Sequence, residues 1–388
     1  MKIARLIFVL FISLSTAEDG AGLPPPRIPG GFVDAQGKAG FFANAGQGID
    51  AVNLATGKVL WNSRQGRWPI LSRHGWLAVI LPDASQNKAL RVRFLNPLDG
   101  SLIAESGSIL LKGGVRIGAD AVGDEKEISW GDRNGWVSLS AWSPLPQNGD
   151  KTSRWDRLLQ LRSVAQSIVT SGIMVSERPS PPDSGMIYID PADGSHEPGP
   201  IKGAPSFSLV APELPKGWKK DGHSSYSSGG SWGDKPNPFR IFDGLIGFFS
   251  CDYTAKRIIL NRWKSLEPLP PVNIIEGMEH VPIISMDGRY AVLTSYVKGT
   301  NRAQLFDLYT VKPFTPLADL PWFQEGFRFP FAVIGPLLFY VTETRGPEGA
   351  EKTLIKRALV ALDWEKGKIR WTHTLAPRYD YPPVPGAR

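Results

Sequence analysis

Five histidines, one cysteine and scattered carboxylates are the residues of this 388-residue chain that could carry catalysis. His74, His196, His223, His280 and His373 stand far apart, and no two have the spacing with which one element holds a metal ion. Each is read as a surface or turn residue. The acids Asp120, Asp124, Glu125 and Glu127 cluster along the chain, whereas a glycosidase needs two carboxyl groups facing each other across a sugar, usually from different elements. Ser224 follows Gly222 and His223, but Tyr226 occupies the place of the second glycine in a nucleophile elbow, so a serine hydrolase is not supported. Cys251 lies in an apolar string and is read as a buried strand residue; a single thiol gives neither an internal disulfide nor a zinc site.

The most unusual segment is 212–238, rich in Gly and Ser and carrying Trp218, His223, Tyr226 and Trp232. These four are the candidate binding residues. Aromatic side chains on a long loop can stack on sugar rings or grip a partner chain, and they can equally pack back on the body of the fold.

The elements that would position such residues are strands. The chain holds 41 glycines and 34 prolines, spread between short apolar strings, and almost no stretch keeps a helical period; Thr152–Ile168 comes nearest. Lys2 and Arg5, the apolar run Leu6–Leu14 and Ser15-Thr16-Ala17 follow the order of a signal peptide, expected to be cut after Ala17. The run is short for a membrane span, and the apolar stretch 329–341 is broken by Pro330, Gly335 and Pro336, so no transmembrane segment is expected after cleavage. The formal charge of +7 is spread along the chain, without the Lys/Arg block that a nucleic-acid arm would need. The expected location is extracytoplasmic, periplasmic or secreted.

Ala51-Val-Asn-Leu-Ala-Thr-Gly57-Lys-Val-Leu-Trp61 aligns without gaps with Ala361-Leu-Asp-Trp-Glu-Lys-Gly367-Lys-Ile-Arg-Trp371. Weaker copies run Arg93–Gly100 and Ile187–Gly194, each a strand entering an Asp-Gly turn. With vaguer units added, turns fall near Gly57, Gly100, Leu145, Gly194, Ala255, Val311 and Gly367, a mean spacing of about 52 residues, right for one four-stranded blade with its loops. The expected fold is all-β: a β-propeller of four-stranded antiparallel blades, seven by this count and eight as the alternative. Residues 1–17 are the signal segment, 18–30 a linker, 31–376 the propeller with its insertion at 212–238, and 377–388 a tail.

The repeat at 51–61 and 361–371 resembles that of the pyrroloquinoline quinone (PQQ)-type propeller family, shared by quinoprotein alcohol dehydrogenases and by the propeller lipoprotein of outer-membrane barrel assembly. The resemblance is specific at two blades and partial at two more. It implies that Trp61 and Trp371 dock between adjacent blades over neighbouring turns, with Gly57 and Gly367 as the matching structural glycines. A catalytic member would be longer and would carry an adjacent cysteine pair and a calcium site; this chain has one cysteine, and no position maps onto that active site. No cofactor is therefore expected, PQQ and calcium included. The cysteine through which the lipoprotein is anchored is also missing from the expected cleavage site. The leading expectation is an exported, non-catalytic module that binds a protein partner in the cell envelope, or a glycan. The alternative is a carbohydrate-active or quinone-linked enzyme with its site on the propeller axis.

Overall fold

The computed structural model describes residues 27–110 apart from 35, 84 and 86–88, strands and adjoining residues between 122 and 313, and residues 331–347 and 353–380. Every described strand pairs antiparallel, and the described residues contain no helix.

The first sheet holds β1 (Arg27–Ile28), β2 (Gly31–Val33), β3 (Ala39–Ala43), β4 (Ile49–Asn53) and β5 (Val59–Ser63), in chain order. The second holds β6 (Trp68–Arg73), β7 (Trp76–Pro82) and β8 (Ala89–Leu95), with a last edge made in two pieces, β9 (Leu102–Glu105) and β10 (Ile109–Leu110), both paired with β8. The third runs β11 (Val122–Gly123), β12 (Ile128–Asp132), β13 (Gly135–Trp142), β14 (Leu159–Ser167), β15 (Ser184–Ile189) and β16 (His196–Pro198). The fourth is β17 (Phe239–Asp243), β18 (Gly247–Asp252), β19 (Arg257–Arg262) and β20 (Val272–Asn273), and Cys251 lies in its second strand. The fifth is β21 (Ile283–Ile284), β22 (Tyr290–Val297), β23 (Thr300–Asp307) and β24 (Lys312–Pro313). The sixth is β25 (Phe331–Ile334), β26 (Leu337–Arg345), β27 (Thr353–Asp363) and β28 (Lys368–Asp380).

The described residues thus form six sheets where the turn count gave seven. The difference arises in the third sheet, which contains both the Leu145 position, between β13 and β14, and the Gly194 turn, between β15 and β16. The folded part also extends past 31–376 at both ends. β1 begins at Arg27 and buries Ile28 completely, and β28 continues to Asp380 with Leu375 buried against the first sheet.

One turn chemistry recurs before the last strand of a sheet. Asn53, Asn96, Asp190 and Asp363 each stand four residues ahead of a glycine in the left-handed region, with φ of 72° at Gly57, 72° at Gly100, 76° at Gly194 and 62° at Gly367. In the first three turns the glycine N–H donates to the backbone carbonyl of that Asn or Asp at 2.8 Å. The Asn or Asp side chain accepts a backbone N–H from Ala55, Leu98, Ala192 and Lys366 in turn. An amide or carboxylate that folds back on the chain starts the turn, and a residue without Cβ completes it at low steric cost.

Burial separates the two edges of a sheet. β6 is a hydrogen-bonding edge, yet all six of its residues are buried; β25, another first strand, buries Phe331, Ala332 and Val333. At the opposite edge of the sixth sheet, Lys368, Ile369 and Arg370 of β28 face water, as do Val59, Leu60 and Asn62 of β5 at the last edge of the first sheet. Apolar clusters join the first sheet to the second through Phe41, Ala51, Leu77 and Val79, and the second to the third through Ile80, Phe94, Leu159 and Ile189. They join the fifth to the sixth through Val292, Leu305, Leu338 and Val360, and the sixth back to the first through Phe339, Ala361, Phe42 and Val52. The last sheet therefore packs on the first.

Candidate functional site

The joints between sheets are built from cross-strand rows. Phe41, Ala51 and Trp61 face one another across β3, β4 and β5, and Phe339, Ala361 and Trp371 do so across β26, β27 and β28. The ring centroids of Phe41 and Trp61 are 5.8 Å apart and those of Phe339 and Trp371 5.7 Å apart, within the range of favourable aromatic contact. In the second sheet the sizes invert: the row is Ala78, Phe94, Ala104. In all three hairpins the register slips by one residue just before the outer member of the row, leaving Leu60, Ile103 and Arg370 as the extra residues of β-bulges.

The bulge aims each tryptophan at the next sheet. Trp61 Nε1 donates to Pro97 O at 3.0 Å, and its six-membered ring lies 2.7 Å from where a Cβ on Gly100 would stand. Trp371 Nε1 donates to Leu54 O at 3.1 Å, and its Cγ lies 2.5 Å from the corresponding point on Gly57. Only glycine leaves room for an indole this close. At Ala104 no indole is available, and the backbone of Glu105 itself closes on Gly194.

A polar cluster sits in the joint between the sixth and first sheets. Asn44 Nδ2 and Asn62 Nδ2 donate to Asp50 Oδ1 at 2.7 and 2.6 Å. His373 Nε2, on β28, lies 3.2 Å from Asp50 Oδ2. Burial pushes the Asp50 carboxyl up, but His373 and the two amides outweigh it and hold it below the ordinary value. Both side chains are largely covered, so the pair stitches two sheets together and offers little surface to a substrate.

On the second sheet Arg91 Nη1 and Arg93 Nε bind the two oxygens of Glu105 at 2.9 and 2.8 Å, and Arg91 Nε reaches Asp83 at 3.2 Å. Asp83 is held far below the usual carboxylate range, chiefly by hydrogen bonds from the Ser85 side chain and backbone. Among the described residues, no group of three or more His, Cys, Asp or Glu side chains converges as a metal site would require.

Among the described residues, the exposed large apolar side chains form an outer rim. Val59, Leu60, Leu98, Leu102, Ile103, Leu110 and Ile369 are large apolar residues in water, all on last strands or on the turns leading to them. Leu98 is 83% exposed, Leu60 53% and Ile103 47%. Leu60 and Leu98 flank the docked Trp61, one beside it in the chain and the other beside its acceptor Pro97. This feature was missed in the sequence, where an apolar letter in a strand reads as core; the bulge that turns Leu60 and Ile103 outward leaves no mark in the pattern. The loop residues Trp218, His223, Tyr226 and Trp232 lie outside the described residues, as do Asp120, Asp124, Glu125, Glu127 and Ser224.

No protein-family model matches the chain, and no curated protein matches it. Similar solved structures include dihydro-heme d1 dehydrogenase NirN in complex with DHE, at 14% identity over 90% of this chain and 67% of that one, with a TM-score of 0.25. They also include BamB from Moraxella catarrhalis, at 11% identity over 89% and 75%, TM-score 0.21, and apo AztD from Citrobacter koseri, at 10% over 91% and 89%, TM-score 0.29. Likeness at this level leaves the architecture to be read from the chain's own sheets. Among the described residues, no helix is long and apolar enough to cross a membrane.

Proposed function

We propose that the chain is an exported β-propeller of the PQQ-type repeat, each described sheet being one blade, that works as a protein-binding scaffold through the outer edges of its blades. The propeller reading is supported by buried first strands, exposed last strands, and a last sheet that packs on the first. One observation carries the function: the first and second sheets leave Val59, Leu60, Leu98, Leu102 and Ile103 in water on neighbouring edges, although both sheets bury apolar side chains thoroughly elsewhere. A contiguous apolar surface on a folded protein marks an interaction site far more often than scattered exposure does.

The test is affinity capture from the native envelope with the mature protein and two variants. One is Leu60→Lys with Ile103→Lys at the rim; the other is Trp218→Ala, Tyr226→Ala and Trp232→Ala in the loop. A stoichiometric partner that is lost with the rim variant and kept with the loop variant is the expected result. A partner indifferent to the rim and lost with the loop variant would move the site to the loop face.

A further inference from the structure

We infer that the outer rim of the first two sheets receives an acidic amphipathic helix of a partner protein, laid across the two edges over Trp61. The inference rests on the rim-binding reading above and adds the chemistry of the partner. Three observations lead to it.

A strand is the usual visitor to a sheet edge, because the edge offers a row of unpaired backbone groups. Here the edge is broken where a strand would pair: the extra residues Leu60 in β5 and Ile103 in β9 interrupt the ladder and twist it away. The same bulges push apolar side chains out, so the surface offers side chains and not a backbone ladder.

Spacing is the second observation. Val59 and Leu60 stand on one sheet and Leu102 and Ile103 on the next, with the Trp61 indole bridging to Pro97 and Gly100 and Leu98 beside it. Packed sheets lie about 10 Å apart, and two turns of helix advance about 11 Å, so residues seven apart on one helix face reach both edges. A third apolar point, Ile369, continues the series on the sixth sheet, whose Trp371 docks on the Gly57 turn.

Charge is the third. Lys58 and Arg64 border β5, and Lys368 and Arg370 flank Ile369, all exposed. Glu105 is held by Arg91 and Arg93, and Arg370 is paired with Asp363, so the exposed anion beside Leu98, Asp99, stands against the cations Lys58, Arg64 and Lys368. A rim that is apolar in the middle and cationic at its borders repels a second copy of itself and favours an apolar stripe flanked by Asp and Glu.

The experiment uses fluorescence anisotropy with a labelled peptide of Glu, Ala and Leu, its leucines at i, i+3, i+4 and i+7. The comparison probes are the same peptide with Lys in place of Glu and a vesicle of anionic phospholipid. The full-length mature protein should bind the acidic peptide, more weakly as salt rises, and should bind the basic one much less. Leu60→Ser with Ile103→Ser should weaken binding at least about tenfold, and Gln36→Ser, exposed between β2 and β3, should leave it unchanged. If the double variant misfolds, Lys58→Glu with Arg64→Glu replaces it and should reverse the preference between the peptides. Equal binding of both peptides, binding indifferent to both pairs of substitutions, or binding to the vesicle alone would each overturn the helix. A helix overturned in this way while the rim variant still loses its captured partner leaves the scaffold reading standing; capture indifferent to the rim removes both.

Discussion

Opposite Trp61 and Trp371 the chain places Ala51 and Ala361, and where the outer residue is Ala104 the residue opposite is Phe94. Each row fills one joint between sheets, and close packing fixes the volume of the row more firmly than the identity of any member. The turn glycines under the indoles complete the fit, and they differ in how tightly they are covered. Gly57 and Gly367 both have positive φ, so alanine is strained at either, by about 1–2 kcal/mol. At Gly57 the added methyl also meets Trp371, whereas at Gly367 it meets nothing among the described residues within 4 Å, so Gly57→Ala should cost about 1–3 kcal/mol more. Urea unfolding of the two variants measures the difference. The Asp50 cluster makes a second prediction at this scale. A carboxyl whose folded pKa is depressed below 3.8 adds stability that is complete above that value and lost as pH falls through the lower folded value. Asp50→Asn should therefore be less stable than the native protein near neutral pH, and the gap should narrow on acidification to about pH 3, read from unfolding midpoints at each pH.

First strands and last strands obey different rules, although their letters look alike. β6 reads Trp-Pro-Ile-Leu-Ser-Arg and is wholly buried; β5 reads Val-Leu-Trp-Asn-Ser and faces water for most of its length. Leu71→Ala should cost about 2–5 kcal/mol, and Leu60→Ala should stay within about 0.5 kcal/mol, since only the first opens a cavity. Similar losses at both positions, by chemical denaturation, would contradict the assignment of inner and outer edges. This contrast also marks what the sequence made legible. Gly57 with Trp61 and Gly367 with Trp371 were readable as a repeat because a left-handed turn and a docked indole each admit few residue types. The second sheet hid its copy, because Ala78, Phe94 and Ala104 fill the same volume with the sizes exchanged. The bulges were invisible, since an extra residue in a strand changes no composition. Arg27–Ile28 looked like linker because two residues are too few to show a period, and only the burial of Ile28 against the sixth sheet reveals the strand. The loop aromatics Trp218, Tyr226 and Trp232 stood out as unusual letters but lie outside the described residues, while the exposed rim required the fold to show which apolar residues stay outside.

For the whole molecule, the decisive contact joins the ends of the chain. Trp371 on the last strand covers Gly57 in the first sheet, Phe339 and Ala361 share a core with Phe42 and Val52, and His373 reaches Asp50. The packing of the sixth sheet on the first sets Lys368 and Arg370 of β28 beside the apolar edge of β5. The proposed docking surface therefore depends on this contact as well as on its own residues. The most direct test is a double-mutant cycle between Gly57→Ala and Trp371→Ala, measured by urea unfolding of the full-length protein. With the indole seated on the glycine, removing the ring relieves the clash. The double variant should then lose less stability than the two single variants together, by at least about 1 kcal/mol. Additivity to within about 0.5 kcal/mol would mean that the two residues do not touch, and that the last sheet does not close on the first.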